Sequence, residues 1–325
     1  MIKYPWVMEM KTEQIEMVSI EMLMPEKHAY RKLKALLKFP SILRAAKMPP
    51  KDTEVGADGF GEERLILCLI LQFMEDRSDR EYERFIAENH AAKWFCGFGL
   101  TEKTPDYSTI CKFRNKLGTS RIGKIFHEVN RQLKNKGFLR ENFTFVDATA
   151  LVSKLQVWEE RDKAIADGYE ELNNKIIAEY SADKEVRIGA KSAKKFWVGF
   201  KKHISVDTQS GMINKVAVTL ANLPDADGAK FVLPNNGAVL TDKGYVPAIR
   251  DIRRRGLHEM VIRKNNMKDK IPEKDAWISK LRSPYERVFS KQQKRARYRG
   301  TVKNQAAEML YAVAFNFRRL LVIAG

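Results

Sequence analysis

Two acidic residues stand in apolar segments, where a charge is unexpected. Asp147 lies in the β-rich run Phe145-Val-Asp-Ala, and Asp242 follows a second short apolar run at 238–241. Burying an ionised carboxylate without a partner is costly, so such an acid has either a partner or a chemical role. Strand ends of open α/β sheets are also where ligands bind. The structural alternatives are a salt-bridged core acid for Asp147 and an ordinary turn residue for Asp242.

Glu286 is a third candidate, within the segment Arg282-Ser-Pro-Tyr-Glu-Arg. Its local pattern supports two interpretations. Residues 283–286 have the form of a capping box with proline at the first helical position, so Glu286 could cap its own helix. The other interpretation is a metal ligand that joins the two aspartates. The local sequence leaves both open.

Carboxylates that converge on one site suit a divalent metal. Mg²⁺ takes oxygen ligands, commonly one or two carboxylates together with phosphate oxygens and water. Two such ions, roughly 4 Å apart, can activate the attacking oxygen and stabilise the leaving oxygen of an in-line displacement. The five histidines are scattered, and the sequence has no zinc-protease, P-loop or nucleophile-elbow motif. The three acids are therefore the strongest candidates for chemistry.

The charge of the whole chain points to a polyanionic partner. Lysine and arginine number 59 against 41 acidic residues, which gives a formal net charge of +18. Such an excess attracts nucleic acid, whose condensed counterions are released on binding. A ribosome-associated or a membrane-surface protein is the alternative. Three cysteines without a paired motif and the lack of a bilayer-length apolar run predict a cytoplasmic protein with no membrane partner.

Basic residues cluster beside the candidate acids. Between residues 282 and 303 there are eight basic residues and one acid, and a second run ends at 202. Clusters of this kind hold DNA phosphates and position the duplex without reading its sequence. The predicted DNA contacts are Arg282, Arg287, Lys291, Lys294, Arg295, Arg297, Arg299, Lys303, Lys201 and Lys202.

The pattern along the chain predicts a helical part followed by an α/β part. The helical period and capping signals predict helices at 62–74, 78–89 and 119–137 within residues 1–140. In residues 141–325 they predict a strand at 143–149, a polar, partly helical excursion at about 151–193, and a hairpin of 196–207 with 212–220. Short helices alternating with strands at 238–241 and 258–263, then two terminal helices, follow.

This order favours an α/β fold with a mixed sheet flanked by helices, preceded by an all-α domain. It is also the element order of the RNase H-like fold. On the hairpin, Lys201, His203 and Ser205 fall on the polar side of the alternating strand, and His203 is interpreted as a hydrogen-bonded structural residue.

Motif blocks spread over nearly the whole chain resemble the DDE transposases of bacterial insertion sequences, specifically the large insertion-sequence-five-type family. The N-terminal blocks are Leu71-Gln-Phe-Met-Glu-Asp-Arg-Ser-Asp-Arg-Glu-Tyr and Thr104-Pro-Asp-Tyr-Ser-Thr-Ile-Cys-Lys-Phe-Arg. The later blocks are Phe145-Val-Asp-Ala-Thr, Lys195-Phe-Trp-Val-Gly-Phe-Lys-Lys-His-Ile-Ser-Val-Asp, Thr241-Asp-Lys-Gly-Tyr, Tyr285-Glu-Arg-Val-Phe, Arg297-Tyr-Arg-Gly and Lys303-Asn.

The resemblance implies that Asp147, Asp242 and Glu286 form a metal-binding catalytic triad that holds two Mg²⁺ ions, or Mn²⁺ in their place. The chain departs from the family pattern around the last acid. Ser279 and Gln293 occupy positions where the wider family has tyrosine and lysine, and Val246 replaces an acid often found after the second block. None of these departures removes a proposed metal ligand.

The resemblance also implies a DNA transposase that cleaves element ends and transfers the 3′-OH ends to target DNA. Its DNA partners would be terminal inverted repeats and a target, bound by a homodimer at the nucleoid of a bacterial cell. Two alternatives remain at this stage. One is a metal nuclease of the same fold without strand transfer, and the other is a non-catalytic DNA-binding descendant.

Overall fold

The computed structural model describes residues 17–48, 59–153, 175, 177, 179, 181–192, 195–290 and 293–325. Side chains are described in these ranges except at 192, 195 and 283–290. Within them, no helix combines the length and the apolar character that crossing a membrane requires.

The N-terminal part is helical, as predicted. Its central helix carries an almost unbroken apolar sequence and is buried from residue 65 to its end, since helices surround it. Ser78 and Glu81 form the predicted capping box, each accepting a hydrogen bond from the other's backbone amide. The elements are α1 (Ala29–Leu36), α2 (Phe39–Ala46), α3 (Glu62–Met74), α4 (Asp79–Glu88), α5 (His90–Cys96) and α6 (Tyr107–Asn135).

The longest of these helices, α6, begins earlier than the sequence indicates. Asp106 caps it by accepting a hydrogen bond from the Thr109 amide at 2.6 Å. Gly118 then adopts a φ of 71°, and two helical stretches meet there across a kink. Thr119, the predicted start, begins only the second stretch, because glycine tolerates the left-handed conformation that ends the first.

The described part of the chain contains a mixed sheet of six strands. The strands are β1 (Phe143–Val152), β2 (Arg187–Ser192), β3 (Lys195–Asp207), β4 (Ile213–Leu220), β5 (Ala238–Thr241) and β6 (His258–Val261). Strand β1 is central: it pairs antiparallel with β3 on one side and parallel with β5 on the other. Strand β4 pairs with the far edge of β3, and β6 lies parallel beyond β5. The sixth strand, β2, pairs antiparallel with the first residues of β3. The order β4-β3-β1-β5-β6 of the other five confirms the predicted RNase H-like arrangement.

Helices cover both faces of this sheet. On one face lie α7 (Asp225–Ala229), a 3₁₀ turn (Lys243–Ala248) and α8 (Ile249–Arg254), packed on alternate residues of β1 and β5 such as Val146 and Val239. The opposite residues, Phe145 and Leu240, join the N-terminal helices and α10 (Thr301–Ala324) in one apolar core. Helix α9 (Pro272–Ser290) contacts β1, β5 and β6.

Beside this shared apolar core, the two predicted domains are also joined by buried hydrogen bonds. Asn316 of α10 and Asn130 of α6 hydrogen bond to each other and to the carbonyl of Ile213 at the start of β4. Glu141, before β1, accepts hydrogen bonds from Lys134 at 2.6 Å and from Asn214 at 2.7 Å, and its other oxygen accepts from the amide of residue 235. An entirely apolar cluster would leave the buried polar backbone groups at these loop ends without hydrogen-bond partners.

One prediction about the sheet was wrong. Strand β2 lies inside the segment expected to be polar and partly helical, most of which is outside the described residues. The side of β3 that was interpreted as polar is buried, because α7 packs over it. His203 is fully buried there and its Nε2 lies 2.9 Å from Thr219 Oγ1, which fits the structural role predicted for it. A Cβ on Gly228 of α7 would lie only 2.0 Å from the His203 ring.

Candidate metal centre

Asp147 lies in the middle of the sheet, opposite Ile204 of β3. Its side chain is on the same face of β1 as the buried Phe145, at the position where the apolar packing of that face ends. One carboxylate oxygen, Oδ1, accepts a hydrogen bond from the Ala148 amide at 2.8 Å. The side chain is only partly exposed. The structure therefore presents a strand carboxylate at a partly open edge, as the sequence predicts.

Asp242 follows directly after β5, on the strand beside β1. Phe145 pairs with Leu240 in the parallel register, so two residues further along the strands Asp147 and Asp242 fall at adjacent positions of one face. Asp242 also caps the 3₁₀ turn, since its Oδ1 accepts from the Gly244 amide at 2.8 Å. The turn role and the place beside Asp147 are both present, and neither excludes the other.

The electrostatics around Asp147 favour a cation. Burial, together with the negative charges of Asp242 and Asp225, raises the pKa of Asp147 to about 7, although the Ala148 amide and the charge of Arg282 act in the opposite direction. A carboxylate that is hard to ionise beside other carboxylates lowers its energy when a positive charge is bound between them. The aspartate pair therefore has the charge pattern of a metal site.

Arg282 is the first basic residue of the predicted DNA-contacting cluster and lies close to this pair. Its guanidinium carbon is 5.1 Å from the centre of the Phe145 ring, and its charge acts on Asp147. Residue 286 follows four positions later in α9, one helical turn along, and its side chain lies outside the described residues. Helix α9 runs unbroken from residue 272 to 290, so residues 283–286 do not begin a helix, and the capping-box interpretation was wrong.

The sequence reasoning overlooked two residues at this site. Asp225, at the start of α7, lies close enough to influence Asp147 and forms an ion pair with Lys201 at 2.7 Å. Tyr245, in the 3₁₀ turn after Asp242, is buried, and its hydroxyl has no hydrogen-bond partner within the described ranges. Locally, Asp225 is typical of an acidic first turn and Tyr245 of an aromatic core residue, so no signal separated them from structural residues.

The predicted DNA contacts divide into two groups. Lys201 is buried, donates to the Leu223 carbonyl and forms an ion pair with Asp225, while Lys202 is fully buried and donates to Glu308 at 2.8 Å. The Arg297 guanidinium lies 4.6 Å from the Phe73 ring and donates to carbonyl and hydroxyl oxygens of its neighbours. These three are internal contacts, which corrects the expectation that their charges face DNA.

The other basic residues remain available or lie outside the described side chains. Lys294, Arg295, Arg299 and Lys303 are exposed, whereas the side chains of Arg287 and Lys291 are outside the described part. The exposed segment is fixed to the sheet: Val152, at the end of β1, donates its amide to the Lys294 carbonyl at 2.7 Å and accepts from the Ala296 amide at 2.8 Å. Lys294 and Arg295 therefore lie on a segment that is hydrogen bonded to the strand that carries Asp147.

The residues present fit a hard divalent ion. Among the described side chains, no three histidine, cysteine, aspartate or glutamate residues are grouped closely enough to hold a metal. Asp147 and Asp242 alone supply a pair of carboxylates, and magnesium sites commonly use one or two carboxylates with phosphate oxygens and water. Glu286 would add the third acid from α9.

Two protein families match the sequence of the chain. Residues 18–116 match the family described as "Transposase domain (DUF772)", and residues 141–317 match the family described as "Transposase DDE domain". The second match covers 177 of the 325 residues.

One solved structure is similar in part, the cryo-EM structure of a piggyBac transposase synaptic complex with hairpin DNA. Its TM-score is 0.31 and its sequence is 10% identical. The similarity covers 75% of this chain and 52% of that one, so this chain spans about half the length of that protein.

Proposed function

This chain belongs to the family of transposase DDE domains, and from that membership we propose that it is a DNA transposase of the insertion-sequence-five type. It cleaves the ends of a mobile element and joins the freed 3′-hydroxyl groups to target DNA. The observation that carries the proposal is that Asp147 on β1 and Asp242, directly after the parallel strand β5, fall at adjacent positions of one face, and that the charge of Asp242 raises the pKa of Asp147.

The family implies the use of divalent metal ions. We propose two Mg²⁺ ions, or Mn²⁺ in their place, held by Asp147, Asp242 and Glu286. When bound, such ions supply an activated attacking oxygen and a stabilised leaving oxygen for in-line phosphoryl transfer. Asp147, which lies on the central strand β1, would hold both ions, and Asp242 and Glu286 would each complete one of the two sites. Arg282 would orient the scissile phosphate through charge-assisted hydrogen bonds.

The rest of the chain would recognise and hold DNA. We propose that residues 1–140 form the part that recognises element ends and residues 141–325 the catalytic part. The exposed residues Lys294, Arg295, Arg299 and Lys303 would contact the phosphate backbone, which positions a duplex without reading its bases. Cutting two terminal inverted repeats together requires two active sites, so the working form would be a homodimer on DNA at the bacterial nucleoid.

The test uses the full chain and a plasmid that carries the DNA flanking its own gene, incubated with Mg²⁺ or Mn²⁺. The wild type should give both nicked and joined products, and chelation of the metal should remove both. Asp147→Asn, Asp242→Asn and Glu286→Gln should each abolish both products while DNA binding persists. Asp251→Asn serves as the control, because that exposed acid pairs with Arg254 on α8, away from β1.

Other outcomes would favour the alternatives. Nicked product without any joined product would identify a nuclease of this fold rather than a transposase. If Asp147→Asn leaves every measured activity unchanged, the chain is a DNA-binding protein that uses the fold as a scaffold, and the proposed chemistry is wrong.

A further inference from the structure

Tyr245 is a buried residue near the proposed site, and the mechanism above does not use it. It lies in the 3₁₀ turn three residues after Asp242, and its amide donates to the Asp242 carbonyl. Its ring is 1% exposed and packs in a cluster with Val146 and Ala226. Val146 directly precedes Asp147 and Ala226 directly follows Asp225, so the ring lies among the neighbours of three acids.

The hydroxyl of Tyr245 is the unusual part of this side chain. It is buried, and no donor or acceptor among the described residues satisfies it. Leaving a buried hydroxyl without a partner costs about 1–3 kcal/mol, whereas phenylalanine would fill the same apolar space without that cost. The hydroxyl therefore destabilises the metal-free fold, and a partner that becomes available in another state of the site would remove this cost.

The charges near the hydroxyl indicate what that use is. Burial raises the pKa of Tyr245 well above its ordinary value, and the charges of Asp147, Asp225 and Asp242 raise it further, with Asp147 the largest of the three. The hydroxyl is therefore a hydrogen-bond donor within electrostatic reach of these three carboxylates. Asp225 is already paired with Lys201, and Asp242 already accepts from Gly244.

We infer that Tyr245 is a positioning residue of the Asp147–Asp242 site, and that its hydroxyl donates a hydrogen bond to the Asp147 carboxylate in the metal-bound state. This inference rests on the proposed function. A carboxylate has about four lone-pair sites, and two metal ions and one amide use three of them, so a further partner can fix its orientation. Partners of this kind typically change metal affinity by about 10–100-fold when they are removed.

Tyr245→Phe tests the inference in the full chain, because it removes only the oxygen atom. Two quantities are measured: the dissociation constant for Mn²⁺ by calorimetric titration, and the melting temperature of the metal-free protein. The variant should bind Mn²⁺ at least about tenfold more weakly than the wild type. Its metal-free melting temperature should stay equal or rise, since an unsatisfied buried hydroxyl has been removed.

Tyr298→Phe is the matched control. The Tyr298 hydroxyl is likewise buried without a hydrogen-bond partner among the described side chains, but its ring packs against Arg114, away from the aspartate pair. This variant should leave the Mn²⁺ affinity unchanged.

The outcomes separate this inference from the proposed function. Equal Mn²⁺ affinity of Tyr245→Phe and the wild type would overturn the inference alone. So would weaker binding accompanied by a fall in the metal-free melting temperature, which would mark the hydroxyl as a structural group. A wild-type protein that binds no divalent metal would overturn the proposed function and the inference together.

Discussion

Replacing Glu308 by leucine should destabilise the protein more than any other single change at an ion pair in the described structure. Glu308 of α10 and Lys202 of β3 form a contact of 2.8 Å, with side chains 3% and 1% exposed. The Lys202 amine also donates to the Gln293 carbonyl at 2.9 Å. Without Glu308, a buried ammonium group keeps only that carbonyl as a partner. Breaking a buried pair in this way costs about 3–5 kcal/mol.

Replacing the partner, Lys202, alone and together with Glu308 measures how strongly the two side chains depend on each other. Burial raises the pKa of Glu308 even though Lys202 is beside it, so their attraction does not fully offset the loss of hydration. We therefore expect Lys202→Met to be costly alone, and Lys202→Met with Glu308→Leu to recover most of the loss. Apolar replacements of buried pairs are often neutral or stabilising, by about 1–4 kcal/mol.

Urea unfolding of the four proteins, followed by fluorescence and circular dichroism, measures the coupling between the two residues. The exposed pair of Arg254 and Asp251, at 3.2 Å, is the control, and Asp251→Asn should cost less than about 1 kcal/mol. A cost below about 1 kcal/mol for Glu308→Leu, or additive effects of the two substitutions, would refute the reasoning, because a desolvated pair cannot behave like a surface pair.

Three further predictions follow from other contacts. Burial alone would raise the pKa of Glu141, but the hydrogen bonds from Lys134 and Asn214 hold that pKa below its ordinary value. The ionised Glu141 therefore stabilises the fold above about pH 4.3, and this stabilisation is lost as the pH falls further. Glu141→Gln should lower the melting temperature at pH 7, and the gap from the wild type should narrow by pH 3. Gly228→Ala should destabilise by about 1–3 kcal/mol through overpacking against His203, and His203→Ala in that background should relieve part of the loss in a thermal unfolding assay. Arg297→Ala should lower the melting temperature, because Arg297 is an internal contact. Lys303→Ala, at an exposed residue, should instead reduce the slope of log DNA affinity against log salt concentration by about 0.9. An unchanged slope would show that Lys303 does not contact DNA.

The elements that could be predicted from the sequence are those with strong local signals. Helix α3 and strand β5 have the predicted bounds, because a dense apolar run between turn residues leaves few alternative conformations. Strand β2 was not predicted, since Arg187-Ile-Gly-Ala-Lys-Ser has no clear alternation and only one strong β-former, Ile188. Its conformation comes from pairing with β3, which a local pattern does not contain.

The candidate site was predicted in the same uneven way. Asp147 and Asp242 could be identified because a charge in an apolar strand is a local anomaly. Lys202 was assigned to DNA because its partner, Glu308, lies 106 residues away in the sequence. Tyr245 was missed because an aromatic residue after a turn is typical of a core, and only the unsatisfied hydroxyl distinguishes it.

The hydrogen bonds between Val152 and the segment 294–296 have a mechanical consequence. If Lys294 and Arg295 contact a duplex, a force on that duplex reaches the end of β1 through these two hydrogen bonds, five residues along the strand from Asp147. The spacing between the held phosphates and the cleaved bond would then be set by the backbone of the protein and would not depend on the base sequence.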